Sequence, residues 1–480
     1  MQNLNGLQPE RVLKYFSEIC SIPHGSGDTG AIADYCESFA KNHGLKCIRD
    51  NADNVIIFKN ATDGYECAES VILQGHTDMV CQKDEDCDID FLRDGISLRL
   101  EDDFLSAVGT TLGADNGIAV AMIFAILESD NIPHPALEVV LTSDEEVGML
   151  GAMALDMSPL TAKRMINLDS EEDDTVTVSC AGGSDFVVKL PLLRERAEGV
   201  PVNIRLKGLK GGHSGVEINS GRENAVKLAA RVFNTILRLP EARVIGINGG
   251  EKGNAIPSTC NIELCAKEPK SLIEKALAEL QIIKAEISTR EPEFYYEITE
   301  GESNSHSVLT EDSAKNLAYA ISCSPNGVQK MSAEIKGLVE TSLNLGILKT
   351  DEASSLLHIS LRSNKRDALA ELEDKLKALY SKINCKIESF GHYPPWEFKS
   401  DSKLQRIYKE SYQAQNGKEP KVQAIHAGLE CGVFSSKIAE LDCISIGPSL
   451  FDVHTPKERL SIPSLQKTYE LLLSLLKRLK

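Results

Sequence analysis

Residues Val71–Val80 read VILQGHTDMV. The opening Val-Ile-Leu has the composition of a strand buried in a sheet covered on both faces. His76 and Asp78 then stand where the apolar run should continue. Side chains two residues apart on an extended chain share a face, so the imidazole and the carboxylate point the same way. A lone histidine after a strand is ordinarily a core or surface residue. The rest of the chain must decide whether this one is a ligand.

Four other stretches share the feature. TTLGADNG sets Asp115 between a glycine-rich turn and a helix, and VVLTSDEEVG runs a strand into Glu145 and Glu146. MINLDSEE runs a strand into Asp169, and CISIGPSLFDVHTP follows a strand with His454. Each has a plain structural reading: Asp115 as a helix cap, the paired glutamates as a solvated turn, Asp169 as part of an acidic loop. The coincidence tells against all of these at once, because strand carboxyl ends in an α/β sheet converge on one crevice. Imidazole and carboxylate donors without thiolate suit Zn²⁺, Mn²⁺ or Co²⁺. Two histidines and three acids exceed the usual three protein ligands of a single catalytic zinc and fit two ions sharing a bridging carboxylate.

Helix and strand signals alternate through the first 180 residues and again from Ser402 to the end. This predicts an α/β domain with a mixed, mainly parallel sheet covered by helices. Between them the strands alternate apolar and polar residues and come in pairs. VNIRLKGL, RVIGING and STCNIELCAK, with helices from Glu223 and Ser271, are followed by a similar series in LVETSLNLGIL and SSLLHISLRS with a helix from Lys365. The expected organisation is a catalytic domain over 1–184 and 394–480, interrupted by an α+β lid over 185–393 made of two ferredoxin-like halves.

At 480 residues the chain is too long for one core. Its formal charge of −19 argues against nucleic acid or an anionic membrane as a partner. The longest apolar run, GIAVAMIFAIL from Gly117, is about half a membrane span. The N-terminal stretch lacks the pattern of a signal peptide, and the 13 cysteines form no C-x-x-C pair. The expectation is a reducing, cytoplasmic setting.

Taken in order, GHTDMV, TLGADNG, TSDEEVG, NLDSEE, GGHSG and HTPKE resemble the co-catalytic zinc peptidases related to aminoacylase and carboxypeptidase G. The resemblance covers nearly the whole chain. It implies that Asp115 bridges two metals, with His76 and Asp169 completing one and Glu146 and His454 the other. Glu145 would be the general base, and Asp78 could accept the second N–H of His76 and fix its tautomer. The resemblance further gives His213 of KGGHSG to the reaction oxyanion, reaching from a lid of the same chain or of a partner. It gives Asn254 and Arg362 to the substrate and its carboxylate, and makes the Asp115–Asn116 peptide cis.

The implied reaction is hydrolysis of unblocked dipeptides by attack of a metal-bridged hydroxide. Xaa-His substrates, including β-alanyl-histidine, would be favoured, with two Zn²⁺ per chain (Co²⁺ or Mn²⁺ as alternatives), and the assembly is either a homodimer or an active monomer. A tripeptide aminopeptidase or an N-acyl amino acid hydrolase would use the same core. A non-catalytic metal-binding scaffold would have no need of Glu145.

Overall fold

The computed structural model describes residue 4 and residues 6–480. The first of its two compact units takes the chain up to Cys180 and resumes with Trp396–Ala424 and Leu429–Lys480. The second comprises Ala181–Pro395 with Ile425–Gly428.

The sheet of the first unit has eight strands. Their spatial order is Lys46–Arg49, Val55–Lys59, Leu137–Thr142, Val71–His76, Arg164–Asn167, Asp442–Ser445, Thr175–Cys180 and Lys421–Ile425. The central four, from Leu137–Thr142 to Asp442–Ser445, are mutually parallel, with antiparallel strands outside them. Every residue of Val71–His76 and of Leu137–Thr142 is buried, as a sheet covered on both faces requires. Register puts His76 opposite Thr142, Gln74 opposite Asn167 and Asn167 opposite Ser445. The four carboxyl ends therefore finish level, and the loops leaving them open at one edge.

The apolar run from Gly117 is the centre of helix Ala114–Glu128, buried along its length from Asn116 to Leu127. Among the described residues no helix is long and apolar enough to cross a membrane. This helix lies close on strand Val71–His76, and Gly75 permits the approach. A Cβ there would come within 2.5 Å of Asn116 Oδ1 and 2.9 Å of the Ala119 Cβ. A small antiparallel sheet orders Leu450–Phe451, Arg459–Ser461, Phe104–Ala107 and Leu98–Glu101. Strands of two to four residues carry almost no periodicity, and the sequence reading assigned none of them. Their effect is to hold the loop carrying His454 against the segment just ahead of Asp115.

The second unit is built on one ten-stranded antiparallel sheet. Two halves are present, each with helices, but they share this sheet through the pairing of Gly249 with Leu348. They are also not sequential. The opening strand Gly182–Pro191 pairs with Ser354–Ser363 and Lys386–Tyr393, so the first half is inserted within the second. Alternate residues such as Val202, Ile204 and Leu206, or Leu357, Ile359 and Leu361, join all four helices in a single core. That is the period of two expected for a sheet covered on one face.

Overpacking a tight helix–sheet contact typically costs about 1–3 kcal/mol. Gly75→Ala is expected to lower stability by an amount in that range or above it, read by chemical denaturation.

Candidate metal centre

The level strand ends gather seven of the predicted residues in the first unit. His76 closes strand Val71–His76 and is 1% exposed. Its Nε2 lies 3.2 Å from Asp115 Oδ1 and 3.5 Å from Asp169 Oδ1. From the far end of the chain, His454 Nε2 lies 3.1 Å from Asp115 Oδ2 and 2.9 Å from Glu146 Oε1. The Asp115 carboxylate thus stands between two imidazoles, one oxygen toward each. Ligand atoms of His76, Asp115 and Glu146 all lie within 4.8 Å of one another. The donor chemistry fits divalent ions: nitrogen and oxygen groups converge with no thiolate among them.

A glycine turn leads the chain into Asp115. Gly113 takes φ +70, where a Cβ would meet Met79 Sδ at 2.8 Å, and the Asp115–Asn116 peptide is cis. The Asn116 side chain accepts the His76 N–H (3.2 Å) and donates to the Leu168 carbonyl (2.9 Å). It thereby joins the strand ends that carry His76 and Asp169.

Asp78 is fully buried. His76 Nδ1 faces its backbone carbonyl at 2.9 Å and its Oδ1 at 3.3 Å. The same carboxylate accepts the Ser26 hydroxyl (2.7 Å) and the N–H groups of Glu145 (3.0 Å) and Glu146 (3.3 Å). One group therefore orients the imidazole and shapes the turn that carries the two glutamates.

Concentrated negative charge shows in the proton affinities. Hydrogen bonds to Asp115 and Glu146 push His454 up to about 11 against the cost of burial. Burial alone would depress His76, yet Asp115, Asp169 and Asp78 outweigh it and raise the imidazole well above its usual range. Burial raises Asp169 to about 6. It also raises Glu145 well above the ordinary carboxylate range, with the charges of Asp169, Glu430 and Glu146 adding to the effect and His76 opposing it.

The other three predicted residues lie in the second unit. His213 pairs with Ala255 in a two-stranded ribbon. Its Nδ1 accepts the N–H groups of Gly215 and Val216, both at 3.2 Å, which leaves Nε2 as the protonated nitrogen. Burial and the Arg362 charge lower its pKa, so it is a neutral donor. Asn254 is exposed, and its carbonyl accepts the Ser214 N–H at 2.9 Å. Arg362 is 8% exposed, donates to the Tyr393 hydroxyl at 2.9 Å, and has no hydrogen-bond partner at Nε.

Sequence reasoning missed three acids or imidazoles of consequence. Glu430 is fully buried beneath the first-unit cluster. It accepts from Gln74 (2.5 Å) and Thr142 (2.7 Å), and burial raises it to about 8. His426 bonds Ser342 at 2.7 Å in the second unit, where burial and Arg362 lower it to about 3. Glu458 accepts from the backbone at Asp115. The strings HAGLECG and HTPKE contained these residues, but nothing in their spacing tells a buried acid from a loop acid.

Residues 72–478 match the sequence model of peptidase family M20/M25/M40. The chain belongs to this family. It is accordingly a metallopeptidase, and the family is one of dinuclear metal-dependent enzymes. A cytosol non-specific dipeptidase of Escherichia coli K12 is 38% identical, over all of this chain and 99% of its own length. The crystal structure of an aminoacylhistidine dipeptidase from Vibrio alginolyticus superposes with a TM-score of 0.93 at 35% identity, covering 99% of this chain and 98% of that one. An aminopeptidase PepT from Bacillus cereus, 16% identical over 98% of this chain and 99% of its own, reaches 0.57 and shares the fold.

For this family member without metal, the two raised histidines carry stability that is fully present below their unfolded pKa of about 6.5. That stability is lost as pH rises through the folded values, about 11 for His454. Bound metal requires both imidazoles neutral. Loading the metal-free protein at pH 7 is expected to release at least two protons, one from each imidazole and more from the raised acids, and affinity should fall as pH is lowered. Calorimetry in buffers of different ionisation enthalpy counts the protons.

Proposed function

We propose that the chain is a dinuclear dipeptidase acting on unblocked dipeptides, with Xaa-His substrates, β-alanyl-histidine among them, favoured. The observation that carries this reading is the Asp115 carboxylate set between His76 and His454, with Glu145 held beside it by Asp78. The names of the two full-length relatives support dipeptides as the class, one described as non-specific and the other as acting on aminoacyl-histidine. The tripeptidase alternative has only likeness of fold behind it.

His76, Asp115 and Asp169 would hold one ion, and Asp115, Glu146 and His454 the other. Zn²⁺ suits the donors best, with Co²⁺ or Mn²⁺ as alternatives. Bound divalent ions supply Lewis acidity, acidifying water toward neutral pH and polarising a peptide carbonyl. Glu145 takes a proton from the water that attacks the scissile carbon. Its carboxyl then gives that proton to the amine nitrogen as the C–N bond breaks.

His213 Nε2–H donates to the oxygen that gains negative charge, and its neutral tautomer is the one that can do so without an added positive charge. The Arg362 guanidinium pairs with the substrate carboxylate; within the protein it donates to the Tyr393 hydroxyl. Asn254 contacts the substrate backbone. A cytoplasmic location follows the Escherichia coli relative's description.

Glu145→Gln is expected to keep two metals per chain and lose at least the ~10²-fold in kcat typical of a general acid–base group. Metal analysis beside steady-state kinetics reads both, and near-normal turnover in the loaded variant would remove Glu145 from the role. A panel of Xaa-His, other dipeptides, tripeptides and N-acetyl amino acids is expected to rank Xaa-His first. A preference for tripeptides or acyl amino acids would displace the dipeptidase reading.

A further inference from the structure

Asp115 and His454 lie 339 residues apart in the chain, and something must fix the distance between them. Glu458, four residues beyond His454, is 2% exposed. Its Oε2 accepts the N–H groups of Leu112 (2.8 Å) and Gly113 (3.2 Å), and its Oε1 those of Ala114 (2.9 Å) and Asp115 (3.4 Å). These donors open helix Ala114–Glu128, whose capping position, Gly113, has no side chain to offer. Asp115 would ordinarily serve the first turn of such a helix, but its carboxylate is turned to the two imidazoles. The helix start must therefore be satisfied from elsewhere, and the acid that does so stands in the same loop as His454.

That loop is itself closely folded. The Thr455 hydroxyl donates to the Asp452 carbonyl at 2.7 Å and accepts the Lys457 N–H at 3.1 Å. The Glu458 N–H returns to the Thr455 carbonyl at 3.0 Å. A displacement of the Glu458 carboxylate is thus passed to His454. On the opposite side, Asn116 ties Asp115 to the ends carrying His76 and Asp169. Glu458 thus ties the turn to the loop of His454, and Asn116 ties it to the strand ends of His76 and Asp169.

We propose that Glu458 is a positioning residue that sets the Asp115–His454 spacing, and so the affinity of the ion held by Asp115, Glu146 and His454, while leaving the ion at His76 and Asp169 nearly untouched. This rests on the two-ion reading above. A helix cap with no further role would change the stability of the fold without distinguishing between the two ions.

The test is Zn²⁺ binding to metal-free protein by competition with a chromogenic chelator, alongside thermal unfolding of the metal-free state. Wild type is expected to bind two Zn²⁺. In Glu458→Gln the amide keeps the volume but offers one acceptor oxygen and turns an NH₂ toward backbone donors. One Zn²⁺ is expected to retain its affinity within about threefold and the other to weaken by at least ~10-fold, the range for residues that orient metal ligands. Glu458→Asp keeps the charge but draws it back by one methylene. It is expected to weaken the same ion, and it serves should the amide variant not fold. His454→Ala identifies which ion that is. Two Zn²⁺ at wild-type affinity in folded Glu458→Gln, or equal weakening of both, would overturn the inference alone. A wild type that binds only one Zn²⁺ would overturn the two-ion reading and the inference with it.

Discussion

The first unit is organised around one unfavourable act, the burial of the Asp115 carboxylate among other acids and in contact with two imidazoles. Asp78, Glu145, Glu146, Asp169 and Glu430 surround the same place, in a chain whose formal charge is −19. Acids this close repel unless positive charge joins them, and burial strengthens the repulsion. Without metal, protons supply the charge, on His454, His76 and the raised glutamates. Cations supply it at greater density, so affinity for metal and the arrangement of the fold express the same electrostatics.

Holding the acids together falls to the helix behind them. The polar side chains at the start of Ala114–Glu128 do not cap it, since Asp115 faces the two imidazoles and Asn116 the strand ends. Distant charges cap it instead: Glu458 at the start and Lys59 at the finish, donating to the carbonyls of Ile126, Leu127 and Ser129. Both signs match the helix dipole. Lys437 serves the carbonyls of Ala152, Met153 and Leu155 in the same way. In the second unit Lys227 serves Ile321, Ser322 and Ser324, where burial lowers it to about 8. A lysine reaching across to close another segment's helix is thus a recurrent solution in this chain. It lets the helices themselves stay apolar and packed.

Much of this was legible beforehand because it is written in local pattern. Apolar runs ending in His76, Glu145 and Asp169 exposed the parallel strands and the direction of their ends. Alternation exposed the second unit. Boundaries moved by a residue or two where a cap decided them, as at the helix expected from Glu223, which the Asn224 side chain starts at Ala225. The short strands near Leu98 and Leu450 were not legible, nor was the insertion of one half of the second unit within the other. Pairing between remote segments leaves no trace in a period of two.

The order of residue types along the chain determined the donors: which histidines and acids end strands, and hence which chemistry is available. Only the tertiary structure decided how those donors are held. That Asp78 binds two glutamate N–H groups as well as His76 depends on geometry between segments far apart in sequence. So does the clasp of Glu458 on the turn at Asp115. A ligand's identity is a property of one residue and can be read from the sequence. Its orientation is a property of hydrogen bonds between residues tens to hundreds of positions apart, which exist only once the chain has folded.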